Sequence, residues 1–403
     1  IYIGRHLCTA PRPCKEADAL AVAGHTVTVH GLWFDARLVR RDELLLADRP
    51  WTFAPYADCR PGNVRRRWLW WRLRARHRLA RSLFARTGRV MCDAFGYGAA
   101  ALWRHAAAHP VDLAIFHSEA GLWAAERLRD DGRRVGVDFE DWFSRDLTPA
   151  QRSGRPVAEL ARLEAAALRF SPYVLATSHA MATAMAAAYS GPAPAVIYNT
   201  FPLPPLSAKA RRDDRVVSLH WFSLLLGPER GLETAFAAFA ALPDHFEFHL
   251  RADDPGNFFG ELLKLIPAKA RSRVHLHPTV SSAELPSRLA EHDVGLALDV
   301  STIPSRNLTI TNKLFQYLQA GLAVVASDTA GHMEVLRQTP DAGALFAGGD
   351  AASLAAALTR LCSEPDRLFA AKHAARRAAE TLFAHEHQVP LYAALAAKAL
   401  ATR

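Results

Sequence analysis

Residues 305–328, SRNLTITNKLFQYLQAGLAVVASD, leave few structural options open. Thr309, Thr311 and Asn312 supply small polar side chains and capping groups where a helix should begin. Leu314, Phe315, Tyr317 and Leu318 recur at helical spacing, and Gly321 predicts the C-cap. LAVVAS then reads as a strand buried on both faces, the mark of a parallel sheet. The N–H groups at such a helix start carry roughly half a positive charge and attract phosphate. Lys313 adds a full charge in the first turn. Gln316, one turn on and on the same side, is placed to reach hydroxyls of a sugar attached to that phosphate.

The same alternation runs through the rest of the chain in two blocks. The first opens with a strand (IYI), a loop (GRHLCTAPRP), a helix from Cys14 to a stop at Gly24, and a second strand (HTVTVHG). It continues with the strand VDLAIFHSE, a helix, the strand RRVGVDFED, a long helix, another strand, and a helix capped by Ser178. PLPPLSAKARRDD is a Pro-rich, charged linker. The second block restarts with RVVSLHWFSLLL and proceeds through FEFHLRA, RVHLHPTV and DVGLALD to residues 305–328. Two or three helices close the chain. The expected organisation is one α/β domain over residues 1–203, a linker over 204–214 and a second α/β domain over 215–388. Residues 389–403 are expected to cross back to the first domain.

In open parallel sheets, ligands sit at the carboxyl ends of strands. His117 and Glu119 lie at one such end, and Asp138, Glu140 and Asp141 at the next. Each is read either as a site residue or as a loop cap or solvated charge. No run of about 18 or more uncharged apolar residues exists, so no membrane-spanning helix is expected. The opening IYIGRH reads as a strand and not as a leader. Five scattered cysteines without a CxxC pair favour neither disulfides nor a zinc site, and fit a reducing cytoplasm.

The formal charge is +9, and residues 64–86 alone hold nine Arg with no acid; 9 − 9 leaves zero for everything else. On a helical wheel Leu69, Leu73, Ala80 and Phe84 fall together, with Arg74, Arg78 and Arg81 across from them. Arg65, Arg66, Arg67, Trp68, Trp70, Trp71 and Arg72 crowd one end. Arg with Trp at an apolar edge suits a helix lying on an anionic membrane surface. The rivals are a domain-surface helix with one core-facing side and a nucleic-acid contact. No known nucleic-acid module frames the run, and a nucleic-acid partner is not expected.

NKLFQYLQAG followed by AVVASD resembles the donor segment of GT-B glycosyltransferases, especially the family 4 type. The resemblance implies two Rossmann-like domains facing each other across a cleft. It also implies a nucleotide-diphosphate sugar as donor and a retaining, metal-independent transfer with no cofactor. The family's paired Glu positions fall here on Leu308 and Gln316. Gly227, Arg230 and Gly231 match the order of the family's phosphate loop, and Ser223 is placed to cap or to touch phosphate. By the same resemblance Thr311 and Asn312 hold the diphosphate, and Arg251 and His277 face the nucleobase. His117, Glu140 and Asp141 are then catalytic candidates together with Arg230 and Lys313. Arg12, Glu119 and Asp138 stand on the acceptor side, with surface charges as the other reading of Arg12 and Lys15. DFED resembles the metal-binding DxD of the other glycosyltransferase fold only superficially. The acceptor implied is a hydroxyl of a membrane-associated glycan or glycolipid, of the bacterial surface polysaccharide type. The protein is then expected on the inner face of the cell membrane. A nucleotide-sugar epimerase on the same fold and a non-catalytic nucleotide-sugar or glycan binder are the alternatives.

Overall fold

Short apolar runs become parallel strands throughout the computed structural model, which describes residues 1–152, 154–204 and 216–401. The chain divides into two units, Ile1–Ile197 with Gln388–Arg403, and Tyr198–His387.

The first unit begins with β1 (Thr28–Val29), β2 (Leu32–Trp33), β3 (Thr52–Phe53) and β4 (Ala57–Asp58), which pair as β1 with β3 and β2 with β4. Its main sheet runs in the order β5 (Ala114–Phe116), β6 (Val135–Phe139), β7 (Tyr173–Ala176) and β8 (Ala195–Val196), all parallel. The expected opening strand IYI is reduced to Tyr2, which makes single parallel bridges to His30 and Phe116. The first helix spans Pro11–Val22, three residues longer at its start than expected. Its prolines stand in the first turn, where a missing N–H costs nothing. Tyr392, Ala396 and Ala399 of the last helix, His385–Ala401, join this unit's core.

The second unit holds β9 (Val217–Leu225), β10 (Phe246–Asp253), β11 (Val274–His277), β12 (Val294–Ala297), β13 (Ala323–Ser327) and β14 (Gly343–Phe346). Their order is β11-β10-β9-β12-β13-β14, every pair parallel. Strand order reverses between β9 and β12, the place where doubly wound sheets bind ligands. The helix Asn312–Ala320 packs on this sheet through Leu314, Phe315, Tyr317 and Leu318, all buried, and Gly321 closes it with φ +70°. A Cβ at Gly295 would lie 2.2 Å from the Tyr317 ring, so only the bare backbone of β12 lets that ring settle. The Tyr317 hydroxyl then donates to the His220 carbonyl at 3.1 Å. The preceding SRNLT, expected as loop, is partly a short helix, Pro304–Leu308, started by its proline. Apart from Pro204, the expected linker at 204–214 lies outside the described residues.

The arginine-rich run is one helix, Val64–Thr87, capped by Asn63, whose side chain accepts from the Arg65 N–H at 2.8 Å, and ended by Gly88 in the left-handed conformation. Leu73 and Ala80 are its buried residues. Arg66 pairs with Asp58 at 3.0 Å and Arg76 with Asp93 at 2.8 Å, so part of the positive charge is met within the protein.

Candidate donor site and a buried histidine network

Three segments meet at the carboxyl ends of β9, β12 and β13. In the first, Glu229 and Gly231 both take positive φ, +61° and +74°. A Cβ at Gly231 would stand 2.3 Å from the Leu298 carbonyl oxygen, so the turn lies directly against the end of β12. Arg306 fastens the turn from the second segment, donating from Nη1 to the Glu229 carbonyl at 3.0 Å. Arg230 is exposed and donates to Ser223 Oγ at 3.2 Å. In the third, Ser327 Oγ donates to the Asp299 carbonyl at 2.6 Å, and His332 Nε2 lies 3.5 Å from Asp299 Oδ2.

Lys313 occupies the first turn of Asn312–Ala320, with Nζ 5.5 Å from the centre of the Trp221 ring. Burial lowers its pKa; Asp299 opposes that shift, and the charges of Arg230 and Arg306 add to it. Burial would raise the pKa of Asp299, but the bond with His332 and the charges of Lys313, His332 and Arg306 outweigh it, and the carboxyl is held well down. Of the described groups that act on Lys313, Arg230 and Arg306 are positive and Asp299 is negative, which leaves an excess of positive charge around the ammonium. An anion is what such a group lacks. Asn312 Oδ1 accepts from Asn199 Nδ2 at 2.6 Å, and Thr311 is the N-cap without a side-chain capping bond. Gln316 follows one turn after Lys313 and is half-buried. Gly227 has open space around its Cα, with nothing within 4 Å of a Cβ built there.

Arg251 and His277 form a separate group. Arg251 is buried and donates from Nη1 to the Pro278 carbonyl at 3.0 Å, while His277 Nε2 lies 3.0 Å from His249 Nδ1.

In the first unit, His117 at the end of β5 is 2% exposed and bonded at both ring nitrogens. Nε2 lies 2.5 Å from Glu16 Oε2, and Nδ1 lies 3.1 Å from Glu140 Oε1. Burial works against the imidazolium, but Glu16, Glu140 and Asp138 prevail and push its pKa up to about 10. Tyr173 donates its hydroxyl to the other Glu16 oxygen. Arg12 donates from Nε to Asp138 at 2.6 Å and from Nη1 to the Ile197 carbonyl at 2.6 Å. At 1% exposure Arg12 is no surface charge, and Lys15 is buried too. What Arg12 holds is a carboxylate of its own unit. Of this network only Glu140 and its partner Arg5, 2.8 Å away and 47% exposed, reach solvent. The pKa of Glu140 is lowered to about 2, because Arg5 and His117 outweigh the cost of its burial. Glu119 pairs with Arg155. Asp141 is half-buried.

Asp299, Arg306, His332 and Trp221 around Lys313, and Glu16 beside His117, were not singled out from sequence. Asp299 carried the one usable signal, an acid at the end of DVGLALD.

Residues 219–364 match the family model described as "Glycosyl transferases group 1". No curated protein matches the chain. Among solved structures, HepE of Anabaena, in complex with UDP, is similar at 16% identity over 98% of each chain, with a TM-score of 0.67. Sucrose-phosphate synthase of Thermosynechococcus elongatus is similar at 16% identity over 100% of this chain and 99% of its own, with a TM-score of 0.72. WaaG, a glycosyltransferase involved in lipopolysaccharide biosynthesis, is similar at 14% identity over 98% of each chain, with a TM-score of 0.58. The chain thus has the GT-B fold of two Rossmann-like domains, and its second unit carries a group 1 glycosyltransferase domain that takes in the Arg230, Arg306 and Lys313 cluster.

Proposed function

We propose that the protein moves a glycosyl group from a nucleotide-diphosphate sugar to a hydroxyl of a membrane-associated glycan or glycolipid, with retention at C1. The observation that carries this reading is the cation group around Asp299 at the reversal point of the second sheet. As the C1–O bond to the diphosphate breaks, negative charge grows on the leaving oxygens. Lys313, Arg230, Arg306 and the N–H groups of the first turn of Asn312–Ala320 are fixed in advance to receive it. The same charges do the work that a divalent metal does in other transferases, so no metal is called on in this step. The acceptor oxygen bonds to C1, and its proton passes to the departing phosphate oxygen. Glu140, ionised and backed by His117, and Arg5 beside it are the acceptor-side groups that solvent reaches. The decisive experiment measures nucleotide release from UDP-, GDP-, dTDP- and CMP-sugars with and without a glycan or glycolipid acceptor. Acceptor-dependent release supports transfer. Conversion of the donor to an epimeric nucleotide sugar, with no acceptor and no nucleotide released, is the mark of an epimerase, and binding without turnover that of a non-catalytic receptor; either would overturn the proposal.

The membrane part of the reading rests on the Val64–Thr87 helix. Val64, Trp68, Trp71 and Leu79 lie along one side of it and are exposed, Trp68 at 57% and Trp71 at 66%. Arg72 stacks over Trp68 at 5.1 Å. No helix of the described residues is long and apolar enough to cross a membrane, so contact with lipid would be peripheral. Each unpaired basic residue contributes about 1 kcal/mol near an anionic surface. In flotation on anionic vesicles at low salt, the protein is expected to rise with the lipid, and Trp68→Ala with Trp71→Ala to remain below. Wild-type protein that stays in the soluble fraction would reduce the helix to a structural part.

A further inference from the structure

We propose that Glu247, His249 and His275 bind one divalent transition-metal ion of the zinc class at the edge of the second sheet. The pairing of β10 with β11 sets His249 directly beside His275. Glu247 is two residues before His249 and so shares its face of the sheet. His249 Nε2 lies 3.2 Å and His275 Nε2 4.0 Å from Glu247 Oε2, and one ligand atom from each of the three falls within 4.8 Å of the others. Zinc bonds imidazole nitrogen and carboxylate oxygen at about 2.0–2.2 Å in a tetrahedron, which needs ligand atoms about 3.3 Å apart. The atoms must therefore draw together by up to about 1.5 Å to share one ion, from rings that now stack at 4.6 Å.

Two further observations point to a ligand. Although the His275 side chain is 38% exposed, its Nε2 is sealed from solvent and has no hydrogen-bond partner among the described residues, a state that buried polar atoms seldom keep. The far nitrogen of the His249 ring, Nδ1, lies 3.0 Å from His277 Nε2, which can accept its proton and fix the tautomer that leaves Nε2 free to bind metal. Two imidazoles with one carboxylate suit Zn²⁺ and its neighbours better than Mg²⁺ or Ca²⁺. By contrast the buried group Glu16, His117 and Asp138 is spoken for, since Arg12, Tyr173 and the members themselves occupy its lone pairs and protons. Glu247, His249 and His275 lie toward the amino-terminal half of β10 and on the outermost strand β11, away from the carboxyl ends where the donor is proposed to bind. A metal there braces the edge strand and takes no part in transfer.

The test uses the full, untagged chain, stripped with chelator and titrated with Zn²⁺ by calorimetry and with Co²⁺ by visible absorption. One equivalent should bind, Co²⁺ should give the spectrum of a tetrahedral site, and Zn²⁺ at about a hundred times Kd should raise Tm by about 5 °C or more. His275→Ala and Glu247→Gln should each abolish the Tm rise, and His277→Ala should weaken binding about 10–100-fold. Far-UV circular dichroism of the metal-free variants checks folding; should His275→Ala misfold, Glu247→Gln, a half-exposed and isosteric change, decides. Absence of binding in the wild type, or the same Tm rise in wild type and Glu247→Gln, would overturn the proposal.

Discussion

Lys313→Ala is expected to lower kcat about a hundredfold or more, as removal of a fixed donor to a developing oxyanion does elsewhere. Burial disfavours the charge of this ammonium, and the Asp299 carboxylate works against that shift. Such an arrangement costs the resting protein something and is repaid when a more strongly charged anion forms beside it. The loss should therefore fall mainly on kcat, with a smaller effect on KM, because the charge on the diphosphate is greatest as the sugar departs. Arg230→Ala should act in the same direction and to a similar extent. Its guanidinium is exposed and tied only to Ser223 among the bonds described, so the substitution removes a charge without opening the core. Lys313→Arg tests geometry, since a planar fork does not replace a point charge enclosed beside an indole. Unchanged steady-state turnover in both alanine variants would remove the cation group from the mechanism.

The second large effect is on stability. His117→Ala leaves Glu16 and Glu140 without the imidazolium that both contact, and breaking a buried ion pair on one side costs about 3–5 kcal/mol. Denaturant unfolding of the first unit, followed by Trp fluorescence, should register a loss of that size. His117 and Glu140 contribute to the pH dependence with opposite signs. His117 is raised from 6.5 to about 10, so the folded unit keeps a proton that the unfolded chain releases. Its contribution is complete below about pH 6.5 and drains away toward pH 10. Glu140 is depressed from 4.5 to about 2, so its contribution is complete above about pH 4.5 and disappears as pH falls toward 2. The stability difference between wild type and His117→Gln should thus shrink as pH rises from about 6.5 toward 10, while the buried Lys15, whose pKa burial drives well down, contributes with the opposite sign in both proteins. A difference that stays constant over that range would show that His117 does not titrate in this way.

Much of the second unit was legible because its signals are local. A run such as LAVVAS is too apolar to be anything but a strand covered on both faces, and Gly321 marks a helix end by a conformation that few other residues accept. The donor cluster was half legible. Lys313 and Arg230 stand beside recognisable helix and glycine signals, whereas Arg306 and His332 matter only because β12 and β13 bring their loops together. Glu16 had no local signal. It lies in mid-helix in CKEADAL, where acids are ordinarily solvated, and its meeting with His117 across 101 positions depends on tertiary packing. The first strand is shorter than expected: IYI has the composition of a strand and Ile1 and Ile3 bond to His30, but the pairing stays at isolated bridges centred on Tyr2.

Gly295 has a bearing on how specificity in such a domain can change. The helix that bears Lys313 and Gln316 is moored from behind, by an aromatic ring resting in the notch this glycine leaves, and not by whatever molecule its outer turn meets. Position 316 is not part of that mooring, so a directed library there should yield mostly folded proteins, and a change of sugar preference among them is the expected result if Gln316 meets the donor as proposed. A library at 295 should yield few folded proteins.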